Sequence, residues 1–119
     1  MIRFTLPWPP KGLSPNARNH WAKTAKLKRA YREACRWQAI GQEGAKFDAG
    51  AVLSVRLTFH PPDRRKRDWD NLIASMKSGL DGLADALGVD DSRWRISFDV
   101  SEQIGGMVKV EVQPMEAMA

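Results

Sequence analysis

With 119 residues, 43% hydrophobic and 28% charged, the chain is sized and composed for one globular domain rather than a disordered segment. A formal net charge of +5 and a pI near 9.7 favour a polyanionic partner. No apolar run approaches the roughly 18 residues that cross a bilayer, and the lone Cys35 excludes an intramolecular disulfide and is too little for a zinc site.

Residues 2–6 alternate Ile2, Phe4 and Leu6 with Arg3 and Thr5 and predict a short strand, stopped by Pro7-Trp8-Pro9-Pro10 because proline cannot donate to a ladder. This opening lacks the apolar h-region of a signal peptide, so a cytoplasmic protein is expected. Lys11-Gly12-Leu13-Ser14-Pro15-Asn16 reads as a loop. A long helix is predicted over 17–44, with Leu27, Ala30, Tyr31, Ala34, Trp37 and Gln38 on one face. Lys28, Arg29, Arg32 and Arg36 fall on the other, largely unneutralised. The first 47 residues hold ten basic side chains against Glu33 and Glu43, so the rest of the chain is net acidic.

Residues 51–60 form the clearest strand, with Leu53, Val55, Leu57 and Phe59 in alternation, ending at His60-Pro61-Pro62. His60 is read as structural. A basic run follows, Arg64, Arg65, Lys66 and Arg67, and leads into Asp68-Trp69-Asp70-Asn71-Leu72. A second helix is predicted from about 68–71 to 88, burying Leu72, Met76, Leu80, Leu83 and Leu87 and placing Asp70, Ala74, Lys77 and Asp81 on the opposite side. Asp90-Asp91 marks a turn, and strands follow over 93–100 and 107–112. The fold expected is α/β in the broad sense (α+β): a single small domain over 1–113 in the order β-α-β-α-β-β, its mixed sheet packed against two helices, with a tail over 114–119.

Each carboxylate has an ordinary use. Asp68 or Asp70 could cap a helix, Asp90-Asp91 could populate a turn, and Lys77 with Asp81 could form an exposed i,i+4 pair. The joint pattern asks for more. Two aspartates one residue apart repel, by roughly 1 kcal/mol in water and about 4 at an effective dielectric of 20 if they sit about 4 Å apart, and a divalent cation would relieve that cost. Basic residues directly beside them suit a phosphate chain.

Arg67-Asp68-Trp69-Asp70-Asn71-Leu72, preceded by a basic Pro-Asp-Arg-Arg lead-in, resembles the R-D-x-D-N-L of the RusA family of Holliday junction resolvases, particularly phage and prophage forms. Leu80-Asp81-Gly82-Leu83 resembles its L-D-a-L, Asp90-Asp91-Ser92 its D-D-s, and Ser14-Pro15-Asn16, after Leu6-Pro7-Trp8-Pro9-Pro10, its N-terminal P-P-S-x-N. The resemblance covers nearly the whole chain. It implies a homodimeric, Mg²⁺-dependent endodeoxyribonuclease (with Mn²⁺ as a substitute and no organic cofactor) that resolves four-way DNA junctions by paired symmetric nicks in recombination and repair. It implies Asp68, Asp70 and Asp91 as catalytic metal ligands, with Asp90 as the alternative to Asp91, and Lys77 as the catalytic lysine. The family's best-known members place that lysine one turn after the second aspartate; here Ala74 stands there and Lys77 comes three residues later.

On this reading Arg64, Arg65, Lys66 and Arg67, with Lys28, Arg29, Arg32 and Arg36 of the first helix, bind the DNA backbone. Trp69 points away from the metal, into the core or a dimer contact. Two other readings are a junction- or DNA-binding protein weak in catalysis or without it, and a metal nuclease acting on other branched DNA or on RNA.

Overall fold

The structure, a computed structural model, describes residues 1–42 and 46–115. Its strands are β1 (Ile2–Pro7), β2 (Leu53–His60), β3 (Trp94–Val100) and β4 (Met107–Pro114), and its helices α1 (Trp21–Gln42), α2 (Trp69–Ser75) and α3 (Lys77–Leu87). The strands form one mixed sheet in the order β1-β4-β2-β3; β4 runs antiparallel to β1 and β2, and β2 parallel to β3. A parallel pair needs a crossover rather than a tight turn, and α2 with α3 supplies it. The α+β class and the mixed sheet are as expected from the sequence.

Strand alternation sets the core. Leu53, Val55, Leu57 and Phe59 of β2 and Val108, Val110 and Val112 of β4 are fully buried, with Phe4 and Leu6 of β1 beside them. Each such side chain contributes about 1.5–3 kcal/mol by leaving water. The expected stripe of Leu72, Met76, Leu80, Leu83 and Leu87 is buried throughout and covers this face together with α1. On the other face Arg3, Arg56 and Lys109 meet solvent.

Three expectations need correction. The first helix starts at Trp21 rather than 17, where the backbone N–H groups of Lys23 and Thr24 reach the His20 carbonyl; its expected end at 44 lies outside the described residues. Its buried line is Tyr31, Cys35 and Ala39, while Trp37 is 59% exposed. Apolar Ala30, Ala34 and Trp37 pull a sequence-based stripe away from that line. Gly79 and Gly82 of α3 place it instead: a Cβ on Gly82 would collide with the Arg32 carbonyl oxygen, and one on Gly79 would lie 2.5 Å from the Tyr31 ring.

The second helix is also broken, at Met76, into α2 and α3. The Met76 N–H turns to the Ile73 carbonyl at 3.1 Å, one residue short of the α-helical partner. On the residue just before, the Ser75 hydroxyl donates to the Asn71 carbonyl at 2.8 Å, a back-bond that bends helices. Met76 itself is held inward by the Tyr31 hydroxyl, 3.1 Å from its sulfur. The hydrophobic period runs through the break undisturbed, which is why it reads as one helix. Of the expected tail, Pro114 is the last residue of β4, the Met115 N–H bonds the Val52 carbonyl, and 116–119 lie outside the described residues.

Candidate active site

The break at Met76 makes Lys77 the first residue of α3 and turns it toward the loop that leads into β3. Its ammonium nitrogen lies 2.6 Å from Asp91 Oδ2 and 3.1 Å from Asp81 Oδ1. Asp91 first, then Asp81, hold the lysine pKa above its ordinary value. Asp90 and Asp91 serve different ends. The Asp90 carboxylate accepts the Ser92 N–H at 3.1 Å and caps the short 3-10 turn Asp91–Arg93, and Ser92 keeps its pKa below the ordinary value. Asp91 opens that turn and reaches the lysine.

Asp68 is the N-cap residue of α2, with extended backbone (φ −81°, ψ 129°) and no side-chain capping bond. Asp70 sits in the first turn, where one carboxylate oxygen accepts the Asn71 N–H at 3.0 Å. Both are exposed, and negative charge there is favourable to the helix dipole. The structure brings Asp91 and Asp81 to Lys77, while neither Asp68 nor Asp70 lies within 4 Å of its ammonium. Among the described residues no three His, Cys, Asp or Glu side chains gather as a ready metal cage. The donor chemistry still fits Mg²⁺, which takes one or two carboxylates, keeps several waters and shares substrate phosphates; the Asp68 side chain, free of any capping bond, is suited to that.

The expected basic residues divide into two sets. Arg65 and Arg67 close on Asp63, at 3.2 and 2.9 Å, and Arg67, only 18% exposed, also donates to the Asp63 and Arg65 carbonyls and lies over the Trp8 ring at 5.6 Å. Hydrogen bonds from Arg65, then Arg67, pull the Asp63 pKa down to about 2. Arg32 makes a two-pronged pair with Asp85 of α3, at 2.8 and 3.0 Å, and lowers the pKa of that aspartate. Arg36 lies 3.7 Å from Glu33. Among the described residues Lys28, Arg29, Arg64 and Lys66 have no carboxylate within 4 Å.

Two clefts flank α2. One, of about 530 Å³, runs between Trp8, Asn16, Lys66, Asp68 and Asn71. The other, of about 720 Å³, lies between the 12–17 loop, Thr24 and Lys28 of α1, and Lys77 and Asp81. Ser14 and Ser75 border both. Sequence reasoning leaves Asp81 out of the site, although its i,i+4 spacing from Lys77 was the signal. It also misses Asn16 and Asn71 as cleft walls. Trp69 is 61% exposed and stacks on Phe98 at 5.7 Å, and His60 is buried with its Nδ1 3.2 Å from the Gln103 carbonyl.

No helix of the described residues is long and apolar enough to cross a membrane. No family model matches the chain. An uncharacterised protein of Xylella fastidiosa is 44% identical over 97 residues, covering 79% of this chain; the chain spans 63% of that protein's length. Crossover junction endodeoxyribonuclease RusA of Enterobacteria phage 82 is 34% identical over 94 residues, covering 76% of this chain and 73% of the phage protein. At that identity and coverage, the chain belongs to the RusA family of crossover junction endodeoxyribonucleases.

Proposed function

We propose that this protein is a Mg²⁺-dependent, structure-specific endodeoxyribonuclease that resolves four-way DNA junctions by paired symmetric nicks, in the cytoplasm, during recombination or repair. The observation that carries the reading is the Asp81–Lys77–Asp91 cluster beside a cleft with Lys28 on its other side, in a chain of the RusA family.

Asp68, Asp70 and Asp91 would hold the metal. Bound there, Mg²⁺ or Mn²⁺ supplies Lewis acidity toward the scissile phosphate and an activated water. Water oxygen adds to phosphorus, the P–O bond to the leaving strand breaks, and the leaving oxygen gains a proton. Lys77, aimed by Asp81 and Asp91, places fixed positive charge where the phosphate oxygens gain negative charge, and needs no reorganisation to do so. Asp90 keeps the turn that presents Asp91. Lys28, Arg29, Arg64 and Lys66 contact the flanking backbone, which gives affinity without base information. Arg32, Arg36, Arg65 and Arg67 chiefly brace the surface that presents them. A junction offers two equivalent strands, so a homodimer with two sites matches it.

The test is cleavage of a labelled synthetic four-way junction with Mg²⁺ by wild type and by Asp70→Asn. Paired symmetric nicks by wild type alone, with junction binding retained by the variant, are expected. Tight binding without cleavage by either protein would make this a junction-binding protein instead. Cleavage of flaps or forks in preference to junctions would change the substrate.

A further inference from the structure

The cleft beside Asp68 carries hydrogen-bonding groups for which the proposed hydrolysis has no use. Asn16 and Asn71 both line it, and the backbone of each is held in place. The Asn16 N–H donates to Ser14 Oγ at 3.3 Å and the Asn71 N–H to Asp70 Oδ1 at 3.0 Å, while the Asn71 carbonyl accepts the Ser75 hydroxyl at 2.8 Å. Among the described residues neither side-chain amide has a hydrogen-bond partner. Each offers one carbonyl acceptor and two N–H donors. Trp8, also in the lining, is a fixed wall: it stands edge-on to Phe59 with ring centroids 6.0 Å apart, and the Arg67 guanidinium lies 5.6 Å from its centroid.

The donor set distinguishes a base from a phosphate. A phosphate offers acceptors alone and is held by cations. Of the two cations in the lining, Arg67 is committed to Asp63 and to loop carbonyls, and only Lys66 has no carboxylate within 4 Å among the described residues. A neutral amide instead matches a base edge, where donors and acceptors lie side by side. The volume, about 530 Å³, lies within the roughly 300–1,000 Å³ of pockets that enclose ring-sized ligands. In a continuous duplex the base edge is occupied by its pair. At a branch point the strands part, and a poorly stacked base is the cheapest to extrude.

We propose that Asn16 and Asn71 form a base-reading subsite. The base next to the scissile phosphate leaves its stack at the branch point and enters this cleft, where the two amides bond its edge and Lys66 holds the adjoining phosphate. Lys77 and the carboxylates act on any phosphate alike, so these two amides decide which phosphate of the branch is cut. This inference deepens the proposed function and rests on it for the position of the scissile phosphate beside Asp68.

The experiment uses four-way junctions with fixed branch points, in which the base pairs at the crossover are varied one position at a time. In Mg²⁺, wild type should cut one base context faster than the others by about 5- to 150-fold, the range that a good amide–base contact gives. Asn16→Ala and Asn71→Ala should each flatten that ratio, with thermal unfolding close to wild type because neither amide bonds the protein. Lys66→Ala should weaken binding to every junction and keep the ratio. A second arm measures binding with EDTA in place of Mg²⁺. An abasic site at the preferred position should weaken wild type and leave the double variant Asn16→Ala/Asn71→Ala unaffected. Equal cutting of all contexts by wild type, an unchanged ratio in both asparagine variants, or abasic junctions bound as tightly as intact ones would overturn the proposal. Base discrimination in EDTA by a protein that cuts nothing leaves the subsite standing and removes the nuclease reading. Junction cleavage without base discrimination does the reverse.

Discussion

Lys77 Nζ lies 2.6 Å from Asp91 Oδ2, joining the first residue of α3 to the turn before β3 across fourteen residues of sequence. The same ammonium is 3.1 Å from Asp81, so two carboxylates aim one cation. If this cation acts on the scissile phosphate, Lys77→Met and Asp91→Asn should each lower single-turnover junction cleavage by about 10²–10³, the range for removing one preorganised electrostatic group. Junction binding in a gel shift should stay close to wild type. Asp81→Asn should cost less, because Asp91 still holds the lysine.

The close approach of α1 and α3 depends on Gly82, whose missing side chain leaves room for the Arg32 carbonyl. Gly82→Ala forces the helices apart, and overpacking of this kind costs about 1–3 kcal/mol. Urea denaturation should show that loss. The conservative alanine is a stringent choice, since by helix propensity alone it would stabilise α3.

Asp63 should make the basic loop sensitive to acid. Its folded pKa, about 2, lies below the ordinary 3.8 because Arg65 and Arg67 donate to it. A lowered carboxylate pKa contributes stability that is complete above 3.8 and is lost as pH falls toward about 2. Asp85, lowered by Arg32, acts in the same direction. Lys77 has the opposite sign: its pKa is raised, so its contribution holds below the unfolded lysine value and is lost at higher pH. Denaturation midpoints measured down through the acid range should fall less steeply for Asp63→Asn than for wild type.

Salt dependence should separate the two sets of basic residues. Arg64→Ala and Lys66→Ala each remove a charge with no carboxylate within 4 Å among the described residues, so each should weaken junction binding and reduce the log–log salt slope by about 1. Arg65→Ala should change the slope less, because Asp63 already offsets its charge. Titrations at several salt concentrations read both outcomes.

The sequence by itself determined the strands, the buried stripe from Leu72 to Leu87 and the α+β class, because burial imposes a period of two on strands and near 3.6 on helices. It also determined the chemistry on offer, since hard carboxylates beside a run of cations are legible without coordinates. It could not locate the break at Met76, where a hydroxyl back-bond and the reach of Tyr31 from α1 act without altering the hydrophobic period. Nor could it find the buried line of α1, which is set by two glycines more than forty residues away. Tertiary structure alone gave Asp90 to the turn and Asp91 to Lys77, split the arginines between bracing and open charge, and left Ile96 and Val100 uncovered at the sheet edge. These depend on which side chains meet across long stretches of chain, and local periodicity carries no record of such meetings.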